Sequence, residues 1–364
     1  MNLPLNPALK NLPVYVPGRP IEEVARELGM PAADIIKLAS NENPFGPSPL
    51  ALAAMEGALK QTHLYPDGAA FYLKRKLAAK LGVEPENLIP GNGSNDIIEF
   101  VAHALLDANS EVVVSQYSFA VYAIVTQLFG AKLVTVPAKK YGHDLPAMVR
   151  AITPRTKILF VANPNNPTGT LAPREHVVRL INDTAPHVLL VMDEAYVEFI
   201  SDRVDLLPLI RRGDFPNLIL LRTFSKIYGL AGLRIGYGIG HPDFIAALEK
   251  IRQPFNTNAL AQAGAMAALD DDEHVGRTRA NNQQGLAFYE KSFRALGLEY
   301  VPSVTNFIIV KVGDGQRIWG ELQKRGVITR PMTGYQLPEW IRISIGTAVE
   351  NERCMAALRE ALGK

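Results

Sequence analysis

The chain has 364 residues, 48% of them apolar and 20% charged, the composition of a globular protein long enough to build more than one core. Its 38 basic and 36 acidic residues leave a net charge of +2, so neither a nucleic acid nor an anionic membrane is expected as a partner. The start, MNLPLNPALKNLPVYVPGRP, is broken by prolines at 4, 7, 13, 17 and 20 and predicts no signal peptide. No later run reaches the roughly 18 uninterrupted apolar residues of a membrane span, and the single cysteine, Cys354, excludes an internal disulfide and points to a reducing, cytoplasmic setting.

In chain order, PIEEVARELG (20–29) predicts a short amphipathic helix with Pro20 near its first turn and Gly29 at its end. Helix-like stretches follow at NDIIEFVAHALLD (95–107), FAVYAIVTQLF (119–129) and APREHVVRLINDT (172–184). Around them lie short apolar runs: EVVV (111–114), KLVTV (132–136), KILFVA (157–162), HVLLVM (187–192), NLILL (217–221) and RIGYGIG (234–240). Several are rich in Val, Ile and Leu without period-two alternation, the pattern of strands covered on both faces. Strands alternating with helices predict an α/β fold with a mostly parallel sheet. Past residue 255 come a long helical stretch (258–297), strand-like TNFIIVKV and WIRISIG, and a last amphipathic helix, NERCMAALREALGK. We expect an N-terminal arm and part of a small domain over 1–45, a large domain over 46–255, and the rest of the small α+β domain over 256–364.

In an open α/β sheet, ligands bind outside the carboxyl ends of the strands. KILFVA runs into NPNNPTG (163–169), HVLLVM into Asp193, Glu194, Ala195 and Tyr196, and NLILL into Arg222, Thr223, Phe224, Ser225 and Lys226. ENLIP runs into GNGSND, where Ser94 is expected to cap the helix that follows and the glycines let backbone N–H groups face an anion. Alone, each has a bland reading: a surface lysine, an acid at a helix cap, asparagines shaping a turn, a glycine-rich helix start. Together, four strand ends offer an amide, a carboxylate with a phenol, a lysine and an anion cradle to one ligand.

A lysine of pKa about 10.4 costs about 4.6 kcal/mol to present as a neutral nucleophile at pH 7. Burial and a nearby cation lower that cost, and storing the lysine as an imine removes it. Pyridoxal 5′-phosphate supplies the aldehyde for the imine, an anion for the helix start, and a ring nitrogen that draws electrons when an acid keeps it protonated. Asp193 is the candidate acid, Tyr196 and Asn166 the candidates for the ring hydroxyl, and Arg234 with Ser225 the candidates for the phosphate. The histidines are scattered without metal-ligand spacing, so no metal site is expected. Gly236, Gly238 and Gly240 lack the dinucleotide spacing and instead suit close strand approach.

DEAY, PNNPTG, and SK with an arginine eight residues past the lysine resemble the fold-type-I aminotransferases of the aspartate aminotransferase superfamily. LASNENPFGPSP, YVPGRPIEEVARELG, LYPDG, RQPFNTN and RPMTGY with IRISIGT resemble, more narrowly, the histidinol-phosphate aminotransferases, from about residue 10 to the C-terminus. The resemblance implies that Lys226 carries the cofactor and moves the substrate proton. It also implies that Tyr117 stacks on the ring, and that Gly93, Ser94 and Asn95 join Ser225 and Arg234 on the phosphate. Tyr65 is implied to reach the phosphate from the other subunit of a homodimer. Arg342 is implied to grip the donor's carboxylate, with Arg330 and Tyr15 near a substrate phosphate and Asn43 in a closing loop. Gln336 departs from the pattern, standing where a glycine is common.

The expected activity is transfer of the amino group of L-histidinol phosphate to 2-oxoglutarate in histidine biosynthesis. An aromatic-amino-acid aminotransferase and a threonine-phosphate decarboxylase share the fold, and sequence does not show which substrate bond stands perpendicular to the ring. An oxidoreductase using GNGSND, or a non-enzymatic binding module, would leave Lys226, Asp193 and Asn166 without a shared reason.

Overall fold

The computed structural model describes residues 3, 5–10, 12, 14 and 18–364. The six apolar runs and Leu88–Gly91 form one seven-stranded sheet. In chain order its strands are β1 (Leu88–Gly91), β2 (Glu111–Ser115), β3 (Lys132–Val136), β4 (Thr156–Ala162), β5 (Leu189–Asp193), β6 (Leu218–Thr223) and β7 (Gly236–Gly240), in spatial order β1-β7-β6-β5-β4-β2-β3. Neighbours from β6 to β3 are parallel, whereas β7 runs antiparallel to both β6 and β1. A parallel return needs a crossover, usually a helix, but the segment 224–235 holds only a 3-10 turn at Ala231–Leu233.

Burial on both faces explains the unbroken apolar runs. Val113, Leu159, Val161, Leu190, Met192, Leu218 and Leu220 enter one core, while Val112, Ile158, Phe160, Val191, Ile219 and Leu221 enter the other, with the two-residue period of a strand. Among the described residues no helix is long and apolar enough to cross a membrane.

A second, four-stranded antiparallel sheet places Trp340–Ser344 between Arg330–Pro331 and Phe307–Lys311, with Tyr300–Val301 outside the latter. Helices Asp272–Ala295, Gly315–Lys324 and Ala348–Ala361 close a separate core around Tyr289, Phe293, Ile308, Ile341 and Leu358. The last helix opens on a reciprocal cap between Thr347 and Glu350. The N-terminal stretch joins this unit, since Ile36–Lys37 pairs in parallel with Val327–Ile328 and Leu38 enters the same core.

The stretch 258–297 is two helices, Ala259–Ala268 and Asp272–Ala295. Asp271 breaks it, because its carboxylate accepts the N–H of His274 and so starts a new helix. The first of the two packs on Pro49–Leu59 and contributes Ala261, Ala265 and Ala268 to the large-sheet core, which therefore reaches past residue 255. Helices Pro49–Leu59, Phe71–Leu81, Pro242–Glu249 and Gly315–Lys324 lie outside the predicted stretches.

Candidate active site

Strand register brings the site together. Ala162 stands beside Asp193, and Asp193 beside Leu221, so the carboxyl ends of β4, β5 and β6 are adjacent. They deliver Asn166, Asp193, Tyr196, Ser225 and Lys226 to one cavity of about 200 Å³. Ser94, Asn95 and Arg234 line it from the β1 side, and Arg330 and Arg342 from the small sheet.

Lys226 is partly buried, with Nζ donating to the Ser40 carbonyl at 3.3 Å and standing 5.7 Å from the centre of the Tyr196 ring. Burial, then the Arg342 guanidinium, lowers its pKa to about 8, with Glu42 and Asp193 pulling the other way. The protein itself thus supplies much of the activation that a lysine nucleophile needs.

Asp193 is buried, which raises its pKa. Two donors hold it: the Tyr122 hydroxyl donates to Oδ2 at 2.7 Å and the Ala195 N–H to Oδ1 at 3.1 Å. No helix begins there, so the carboxylate caps only the short turn that leads to Tyr196. Tyr196, also buried, accepts at its phenol oxygen from Asn41 Nδ2 at 2.9 Å.

The anion cradle differs from expectation in one respect. Helix Ser94–Leu105 starts at Ser94 itself; its cap is Gly93, at φ +83°, with no side-chain cap bond. A Cβ on Gly93 would lie 2.4 Å from Arg234 Nη2, and one on Gly236 would lie 2.6 Å from the Ser94 nitrogen. Glycine at these two positions lets the helix start, the guanidinium and β7 crowd together. Arg234, itself at φ +56°, donates from Nη1 to Ser225 Oγ at 3.4 Å. Free helix N–H groups, the positive helix end and a guanidinium are a receptor for a dianion.

Arg342 crosses from the small sheet, donating from Nη1 to Asn166 Oδ1 at 2.7 Å and from Nη2 to the Ala39 carbonyl at 2.9 Å. Its register partner on the neighbouring strand is Arg330. Both guanidinium-bearing side chains line the cavity, so the small sheet presents positive charge to it.

Three predicted residues are placed elsewhere. Tyr117 does not line this cavity: its backbone is left-handed at φ +57°, its carbonyl is held by Asn165 Nδ2 at 2.9 Å, and it lines a neighbouring cavity that shares Arg330 and Tyr335. Phe119, two residues on at the mouth of helix Ala120–Leu128, lines the site instead. Asn43 stands one layer behind, its Nδ2 donating to the Ile227 carbonyl at 2.8 Å and to Thr278 Oγ1 at 3.1 Å, so it braces the backbone next to Lys226; Asn41 is the asparagine that lines the cavity. Tyr65 is 82% exposed and stacked on Phe255 at 4.7 Å, away from this chain's own cavity. Tyr15 lies outside the described residues. Gln336 has φ +62°, the conformation for which a glycine is the usual choice. Asn41, Phe119, Tyr122 and Tyr335 are not legible as site residues in the sequence, because each reads as a loop or core residue.

Residues 33–358 match the family described as aminotransferase class I and II. The chain belongs to the class I and II aminotransferases, and its fold is the fold-type-I arrangement of that family. It is 49% identical over 358 residues to the histidinol-phosphate aminotransferase of Akkermansia muciniphila, covering 98% of both chains. It is 51% identical over 356 residues to histidinol-phosphate aminotransferase 2 of Ralstonia nicotianae, covering 96% of this chain and 95% of that one. The crystal structure of histidinol-phosphate aminotransferase from Sinorhizobium meliloti in complex with pyridoxal-5′-phosphate superposes with a TM-score of 0.89 at 31% identity, over 99% of this chain and 98% of that one.

Proposed function

We propose that the chain is a pyridoxal-phosphate-dependent histidinol-phosphate aminotransferase. It moves the amino group of L-histidinol phosphate to 2-oxoglutarate, giving imidazole acetol phosphate and L-glutamate, in L-histidine biosynthesis. The observation that carries the reading is the meeting of Lys226, Asp193 and the Ser94–Arg234 cradle in one cavity, in a chain whose relatives bear that name over nearly its whole length.

The residues fit the cofactor, since the missing Cβ at Gly93 lets the Arg234 guanidinium stand against the helix start at Ser94, where an anionic phosphate is favoured. When bound, pyridoxal phosphate supplies an aldehyde for Lys226 and a protonated ring nitrogen that takes up electron density from the substrate. Gly93, Ser94, Asn95, Ser225 and Arg234 would hold its phosphate, Asp193 the proton on the ring nitrogen, and Asn166 with Tyr196 the ring oxygen. Phe119 takes the stacking place that the resemblance gave to Tyr117. Lys226 Nζ would hold and move the proton of the substrate carbon that bears the amine, and burial, which lowers its pKa to about 8, favours the neutral amine that this needs. Arg342 holds the carboxylate of glutamate or 2-oxoglutarate, and Arg330, with Tyr15, the phosphate of histidinol phosphate.

The reading includes a large domain over 46–255, a small one from 1–45 and 256–364, and a cytoplasmic homodimer. Exposed Leu64, Tyr65, Phe71 and Tyr72 support the dimer, in which Tyr65 would reach the other protomer's cofactor phosphate. Single-turnover rates with histidinol phosphate, phenylalanine and threonine phosphate test the assignment. Histidinol phosphate is expected to react fastest by a wide margin; a faster phenylalanine, or carbon dioxide released from threonine phosphate, overturns it.

A further inference from the structure

We infer that Tyr122 is a positioning residue for the cofactor ring: through its hydrogen bond to Asp193 it keeps that carboxylate charged, and so keeps the proton on the ring nitrogen. The inference rests on the pyridoxal-phosphate reading above.

Tyr122 and Asp193 are both buried, and the phenol donates to Oδ2 at 2.7 Å. The other carboxylate oxygen has the Ala195 N–H at 3.1 Å, so the phenol is one of two groups that offset the removal of this charge from water. Packing alone does not call for the hydroxyl, since a phenylalanine would fill the same space without burying a polar group. The ring is fixed on two sides. It lies parallel to Phe160, centroids 4.5 Å apart and planes 1° apart, and edge-on to Phe119 at 5.7 Å and 86°. Phe119 lines the cavity, so one side chain ties the Asp193 carboxylate to the cavity wall.

The charged and titratable groups around the pair are Glu194 and Lys226 beside Asp193, and Tyr196 and Tyr335 beside the phenol. Burial and the neighbouring carboxylate hold the Tyr122 phenol well above its ordinary pKa, so it remains a donor throughout the working range. Without that donor the carboxylate becomes the stronger base and takes the proton from the ring nitrogen. A ring nitrogen that loses its charge draws less electron density from the linkage to Lys226, so the linkage nitrogen holds its proton to higher pH.

The test uses the full chain, with two substitutions of opposite sign at position 122. For Tyr122→Phe, affinity of the apo-protein for pyridoxal phosphate should fall about ten- to a hundredfold, the worth of a hydrogen bond to a charged group. The pH midpoint of the bound cofactor's visible absorbance should move up. With 3-fluorotyrosine at 122, whose phenol is more acidic and the same shape, the midpoint should move down; this variant decides the question if the phenylalanine chain does not fold. Tyr289→Phe removes a buried phenol in the small-sheet core and should move neither readout. A midpoint unchanged by both substitutions at 122 overturns the inference while leaving the cofactor assignment intact. A wild-type chain that takes up no pyridoxal phosphate overturns the cofactor reading, and this inference with it.

Discussion

Arg330 and Arg342 stand directly opposite each other on adjacent antiparallel strands, and both line the cavity that holds Lys226. Both side chains thus face the same space, and Arg342 already has its fork fixed by two acceptors within the chain. Replacing Arg342 by Lys keeps the charge but removes the planar fork that binds Asn166 and the Ala39 carbonyl. We predict that Arg342→Lys lowers kcat/KM for 2-oxoglutarate by about a hundredfold, on the order of 2.7 kcal/mol. Steady-state kinetics with 2-oxoglutarate varied at saturating donor checks this.

Gly93 is the tightest point of the cradle, at φ +83° and with Arg234 Nη2 2.4 Å from where a Cβ would sit. Gly93→Ala must strain the backbone and displace the guanidinium together. The expected outcome is an apo-protein that folds but binds pyridoxal phosphate at least about tenfold more weakly, a loss of roughly 1.4 kcal/mol. Fluorescence titration with the cofactor measures it.

Glu198 lies outside the cavity. Burial raises its pKa to about 7 even though the Arg222 guanidinium pulls it back. An acid whose pKa is raised by folding is neutral in both states well below its ordinary pKa and charged in both above its folded pKa. Its burial therefore costs nothing well below pH 4.5, and the cost grows from there as pH rises to about 7. Glu198→Gln should raise stability at pH 8 by about 1–3 kcal/mol and leave it unchanged at about pH 3.5. Thermal denaturation at the two pH values gives the comparison.

The parts of this site that sequence displays are those at the ends of apolar runs. Asp193 stands out because it closes an otherwise apolar strand and Lys226 because it follows one by three residues, and the chain direction alone says that such ends share one edge of a parallel sheet. What sequence hides is register and depth. Nothing along the chain says that Arg330 and Arg342 are cross-strand partners, because that depends on how Trp340–Ser344 slides against Arg330–Pro331. Tyr117 and Phe119 lie two residues apart in one loop, and what separates them is that Phe119 lines the cavity of Lys226 and Tyr117 its neighbour. Tyr122 reads as core because it is core; its hydroxyl is distinguished by Asp193, a residue 71 positions away. The reversal of β7 was likewise invisible in the composition of its glycine-rich run and follows from the short connection before it.

Reduction of the purified, cofactor-loaded protein with borohydride, followed by peptide mapping, tests the central claim most directly. The protein should lose its visible absorbance and carry one pyridoxyl group, on Lys226, and Lys226→Ala should bind the cofactor without fixing it and turn over no substrate. A label on any other lysine, or turnover retained by Lys226→Ala, would contradict the assignment.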